Sequence, residues 1–195
     1  MQHEVPVSEP VVIPPGNKTQ VYANIRGSVD ALINGVVLVV DPSMGSLSSL
    51  PGWAVYRSGV LVDSGVLEVH VEGTRWSRLK EVYRQLANFS AAWKPDVCVY
   101  EEIPVSAHGG RSQVSHASLL LALGVTMAAV DAPAFVGIPP ISWKRFTSSD
   151  YVKSDEQDAI EMGRITISMA RSIMSLDPPR RYRMASTGGD NGSPE

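Results

Sequence analysis

The chain has 195 residues and a mass of 21.0 kDa, enough for one domain with a sizeable core, and its 44% apolar content is ordinary for a soluble globular protein. A net charge of -3 excludes a globally basic nucleic-acid binder, so any such surface has to be a local patch. A single cysteine excludes an internal disulfide framework and a cysteine-based zinc site, and no run of about 18 uninterrupted apolar residues offers a membrane span.

Residues 1–30, rich in Pro, Val and polar types, lack the basic start and apolar core of a secretory leader. They are expected to form a loose arm with a short strand at Thr19–Ile25. Gly35–Val40 (GVVLVV) is a continuous β-branched run that suits a strand buried on both faces, ending at Asp41-Pro42 and a Ser/Gly-rich loop. Trp53–Arg57 and Val60–Val71 read as two further strands joined by a Ser58-Gly59 turn. Thr74 can cap a helix over Arg75–Trp93, with Leu79, Val82, Tyr83, Leu86 and Phe89 on one stripe and Arg75, Arg78 and Lys80 on a solvated face.

Lys94-Pro95-Asp96 breaks that helix, and Val97–Tyr100 (VCVY) makes a second buried strand ending at Glu101-Glu102, with Cys98 as a small buried hydrophobe. A polar loop (SAHGGRSQ) leads to a helix over Val114–Val130. Ala134–Gly137 is a short strand, and Pro139-Pro140 leads into ISWKRFT. The last helix runs from near Ser154 to Ser175, and the segment from Asp177 has the composition of a disordered tail. The expected organisation is an arm over 1–30, a mixed α/β sheet flanked by helices over 31–176, and a tail over 177–195.

The acids carry the chemistry. Asp41 and Glu101 each end a buried strand, the rim at which open α/β sheets place their sites; taken singly, Asp41 equally suits Asp-Pro turn chemistry, Glu101 a solvated strand end, and Asp155 the helix dipole. In KSDEQDAIEMG, Ser154 and Gln157 have capping-box spacing, and Glu156 suits the helix dipole as a surface acid. Asp155 and Asp158 share one helical face, a pairing of like charges that a cation would relieve. Four convergent carboxylates form an all-oxygen donor set that selects Mg²⁺, with Mn²⁺ able to substitute. Two such ions about 4 Å apart can activate water and stabilise a leaving 3′ oxygen, which is phosphodiester hydrolysis.

The order strand–Asp–loop–Gly–aromatic–hairpin, helix, Pro-Asp, strand–Glu, helix and Asp-x-x-Asp-Ala resembles the RuvC family of Holliday junction resolvases, in the RNase H-like nuclease superfamily. The resemblance spans about residues 35–172. It implies an RNase H-like fold, metal ligation by Asp41, Glu101 (rather than Glu102), Asp155 and Asp158, and a basic residue near the scissile phosphate. Lys144 in ISWKRF falls there, and Lys153 is a second candidate. It further implies a homodimer that cuts four-way DNA junctions by paired symmetric nicks, in the cytoplasm of a bacterial cell or phage-infected host and with no membrane partner. The loop after Asp41 is longer than in the family, the Trp143–Asp155 stretch is shorter, and Pro104 replaces a stacking aromatic, as in a shortened phage or plasmid type.

The remaining candidates have plainer readings. His108 and Arg111 suit a solvated loop, His116 a helix surface, Trp53 core packing, Met162, Met169 and Met174 core or interface filling, and Arg180, Arg181 and Arg183 a solvated tail. An RNase H-like nuclease acting on RNA–DNA hybrid or flap DNA, and a non-catalytic binding module of the same fold, stand as alternatives.

Overall fold

The computed structural model describes residues 18–42, 51–69, 74–102, 113–147 and 151–176. Among these residues, five strands, β1 (Val36–Asp41), β2 (Gly52–Arg57), β3 (Val60–Val66), β4 (Val97–Glu101) and β5 (Ala134–Ile138), form one sheet in the order β3-β2-β1-β4-β5. The first three make an antiparallel meander, while β4 and β5 run parallel to β1. Ser58 and Gly59 both take positive φ, of 51° and 74°, the conformation that a two-residue hairpin turn of matching twist requires. The third strand stops at Val66 instead of continuing to Val71, since 67–69 leave the ladder.

Among the described residues, six α-helices flank the sheet: α1 (Lys18–Arg26), α2 (Val29–Asn34), α3 (Arg75–Trp93), α4 (Gln113–Ala129), α5 (Pro140–Trp143) and α6 (Asp155–Leu176). A 3₁₀ turn, Lys144–Phe146, follows α5 directly. The alternation of β1 divides the core. Val37 and Val39 face the layer that includes Leu32, Met162, Ile165 and Met169, whereas Leu38 and Val40 face the one with Trp53, Val82, Leu86 and Cys98. A β-branched run is therefore buried on both sides, as GVVLVV led one to expect.

Local chemistry sets the helix ends. Thr74 accepts a hydrogen bond from the Ser77 backbone N–H at the start of α3, and Lys94, in left-handed backbone at φ 48°, caps its end. Ser154 Oγ accepts from the Gln157 N–H at 3.1 Å, the capping contact expected for α6. Glu156 is half-buried rather than a free surface acid, and accepts the Ser64 hydroxyl at 2.7 Å. Gly163 lets α6 cross the sheet closely: a Cβ there would stand 2.4 Å from the Tyr56 ring and 2.8 Å from Val39.

Further expectations are corrected. The segment Thr19–Ile25 is helix, not strand, because Val21 and Ile25, one turn apart, are both buried in the core layer that α6 shares. Residues 18–30 are accordingly part of the folded unit and not a loose arm. On α3, Tyr83 fits the apolar stripe by spacing yet is exposed, while Arg78 is buried instead of lying on a solvated face. Lys80 is exposed as expected. Trp53 is core, stacked at 4.6 Å on Phe89, and Met162 and Met169 are fully buried, whereas Met174 is exposed. Among the described residues, no helix is long and apolar enough to cross a membrane.

Candidate metal centre

The register of the two parallel strands creates the site. Val40 pairs with Tyr100, so the next residues, Asp41 and Glu101, end their strands side by side at the same end of the sheet. Across the other edge of β1, Asp41 pairs with Gly52. The start of α6 rests on that glycine: a Cβ at Gly52 would lie 1.8 Å from the Asp155 carbonyl oxygen and 2.9 Å from the Glu156 nitrogen. The glycine thus admits a helix end against a strand end, which brings Asp155 and Asp158 to the rim where Asp41 and Glu101 stand. Its backbone is ordinary strand, so the residue is required for space and not for conformation.

A cation from the chain already lies among these acids. Lys144 Nζ stands 3.2 Å from Glu101 Oε2 and 3.9 Å from Asp158 Oδ2, and it also lies over the buried Trp143 ring, 4.9 Å from its centroid. That turn is tied to α6: Arg164 donates to the Phe146 carbonyl at 2.9 Å and to the buried Glu161 carboxylate at 2.7 Å. On the far side, the Tyr151 hydroxyl donates to Asp158 Oδ1.

Electrostatics follow from this crowding. Burial, then the Glu101 and Asp158 carboxylates, and finally Asp155, push Asp41 up to about 8 against the opposing pull of Lys144. Burial raises Glu101 as well, with Lys144 offsetting part of the rise. Tyr151 is raised by burial and by its bond to Asp158, then by the charges of Asp158, Asp41 and Glu101, so it remains a proton donor at neutral pH. Glu102, the alternative to Glu101, does not figure among the charges acting on Asp41; it adds instead to the rise of the Tyr100 hydroxyl, which comes first from burial. The buried Cys98 thiol is pushed up to about 12 and takes no part in the cluster.

Among the described residues, no group of three or more His, Cys, Asp or Glu side chains is drawn tightly enough to hold a metal ion. The donor set nonetheless suits a hard cation: it includes Asp41, raised by burial and then by the charges of the other three acids, and the Lys144 ammonium stands against two of its carboxylates, Glu101 and Asp158. Lys153 is exposed ahead of α6. Pro104, His108, Arg111, Arg180, Arg181 and Arg183 lie outside the described residues, as do the side chains of Arg75 and His116. Reading the sequence alone passed over Tyr151 and the steric role of Gly52. For Tyr151 no spacing or periodicity marks it, whereas the Gly-aromatic pair beginning β2 was a visible signal.

No protein-family model matches this chain, and no curated protein matches it. Solved structures do. Thermus thermophilus RuvC in complex with a Holliday junction substrate superposes with a TM-score of 0.55 at 15% identity, covering 70% of this chain and 95% of that one. A second Thermus thermophilus RuvC structure gives 0.52 at 14% identity, covering 70% and 96%. The fold is RuvC-like: a mixed five-stranded sheet flanked by helices.

Proposed function

We propose that this chain, starting from a RuvC-like fold, is a divalent-metal-dependent endodeoxyribonuclease that resolves four-way DNA junctions. The observation that carries the proposal is the convergence of Asp41, Glu101, Asp155 and Asp158 at one sheet rim, close enough for three of them to raise the fourth. A binding module that faces phosphates gains nothing from four carboxylates there.

Asp41, Glu101, Asp155 and Asp158 would hold Mg²⁺ or Mn²⁺. Bound there, the metal supplies Lewis-acid activation of water and charge stabilisation of the leaving 3′ oxygen. The protein's own part is distinct. Asp41 must release its proton before it can ligate, which couples metal uptake to pH. Lys144, half-exposed beside Glu101 and Asp158, can turn its ammonium toward a scissile phosphate. Arg164 and Glu161 keep the turn that carries it against α6.

Paired nicks need two sites, and α4 favours pairing with a second copy of this chain. Its 17 residues include no Asp, Glu, Lys or Arg, and Leu120 and Met127 are each 44% exposed. Gly124 lies between them, where a Cβ would meet nothing within 4 Å, so the chain's own packing gives no reason for a residue that costs a helix about 1 kcal/mol. A charge-free face of this kind supports packing on its own copy, since a two-fold interface sets the same patch of both subunits together.

The test offers a four-way junction, a flap, a plain duplex and an RNA–DNA hybrid to the protein with Mg²⁺ and with EDTA, alongside sedimentation of the protein alone. Symmetric Mg²⁺-dependent cutting of the junction by a dimer is the expected result. Cutting of the hybrid or flap alone refutes junction resolution, and junction binding without any cutting refutes catalysis.

A further inference from the structure

We propose that Tyr151 is a positioning residue of the acid cluster, its hydroxyl fixing the Asp158 carboxylate so that Oδ2 faces the position shared by the acids and a cation. The inference rests on the metal-dependent reading above. Asp158 is buried in the first turn of α6, and its two oxygens have different neighbours. Oδ1 accepts the Tyr151 hydroxyl from the segment entering the helix, and Oδ2 points toward Lys144 Nζ at 3.9 Å.

The terminal torsion of an aspartate is broad and nearly two-fold, so nothing intrinsic keeps one oxygen turned toward the cluster. A hydrogen bond to the other oxygen does. The phenol suits this duty better than a second cationic side chain. It satisfies a buried acceptor without adding positive charge, leaving the full negative charge of the cluster for an incoming metal ion. Replacing the phenol with phenyl keeps the half-buried ring and deletes only the donor.

The measurement is calorimetric titration of the intact protein with Mn²⁺, comparing the unaltered chain, Tyr151→Phe, Asp158→Asn and the double variant, with melting in EDTA as the check on folding. Tyr151→Phe is expected to weaken Mn²⁺ binding by about 10–100-fold. Junction cleavage by that variant should recover as Mn²⁺ is raised, and the double variant should bind no more weakly than Asp158→Asn alone, because the hydroxyl acts only through that carboxylate. Equal Mn²⁺ affinity in Tyr151→Phe and the unaltered chain overturns the role of Tyr151, as does additive loss in the double variant. Failure of the unaltered chain to bind Mn²⁺ overturns the metal-dependent reading itself, and this inference with it.

Discussion

Gly52→Ala is the sharpest perturbation available, because one methyl group tests how the site is assembled. In an ordinary strand, alanine is better than glycine by about 0.5–1 kcal/mol, so local propensity alone predicts a slightly stabler protein. The packing predicts the reverse. The new Cβ would stand 1.8 Å from the Asp155 carbonyl oxygen, and ordinary contact begins at 3.4 Å, so the start of α6 must retreat by about 1.6 Å. The obstructing atoms are backbone, with no side chain to swing aside. Overpacking of this kind costs about 1–3 kcal/mol, which for a chain of this size lowers the melting temperature by roughly 2–10 °C. The retreat carries Asp155 and Asp158 away from Asp41, and a displacement near 1 Å at a reacting centre costs about 100-fold in rate. We predict at least that loss of junction cleavage, with junction affinity in EDTA unchanged. Cleavage at the original rate by a protein that melts at the same temperature or higher would refute the account of how α6 is seated.

Two further outcomes follow from the charges. Asp41 titrates at about 8 when folded against 3.8 ordinarily, so the unfolded chain gives up its proton first and the metal-free protein loses stability as pH rises between those values. At about 1.4 kcal/mol per unit the loss is on the order of a few kcal/mol. Urea unfolding in EDTA at pH 5 and pH 8 should show it, Asp41→Asn should flatten it while abolishing cleavage, and equal slopes for both proteins would contradict it. Lys144→Gln should change stability by less than about 1 kcal/mol, since the lysine is half-exposed, yet slow cleavage by about 100–1,000-fold. An unchanged rate in a single-turnover assay would remove Lys144 from the site.

Legibility in the sequence varied with the source of each constraint. β1 was readable because burial on both faces demands an unbroken apolar run, and the same holds for VCVY in β4. The helix cap at Ser154 was readable because its partner, Gln157, is local. The Thr19–Ile25 segment misled because Val, Tyr and Ile favour strands, while the deciding fact, burial of Val21 and Ile25 in a layer shared with the distant α6, is tertiary. Arg78 and Tyr83 exchanged their expected surroundings for the same reason: spacing defines a helix stripe, but the neighbouring elements decide where its borders fall. The strand-end acids were legible as candidates from position. Their grouping with Lys144 and Tyr151 depends on strand register and on the seating of α6, which no local pattern encodes.

The dependence of the rim on α6 also has a consequence in time. Asp41 and Glu101 belong to strands made before α6, whereas Asp155 and Asp158 arrive with that helix, which packs against β1, β2 and the N-terminal helices. Ribosomes extend chains at about 5–20 residues per second, so seconds separate the first acid from the last. For the first part of that interval Asp41 stands without the other three, and then with Glu101 alone. Until α6 is made, the nascent chain lacks two of the four candidate acids together with Met162, Ile165 and Met169, which that helix brings to the core.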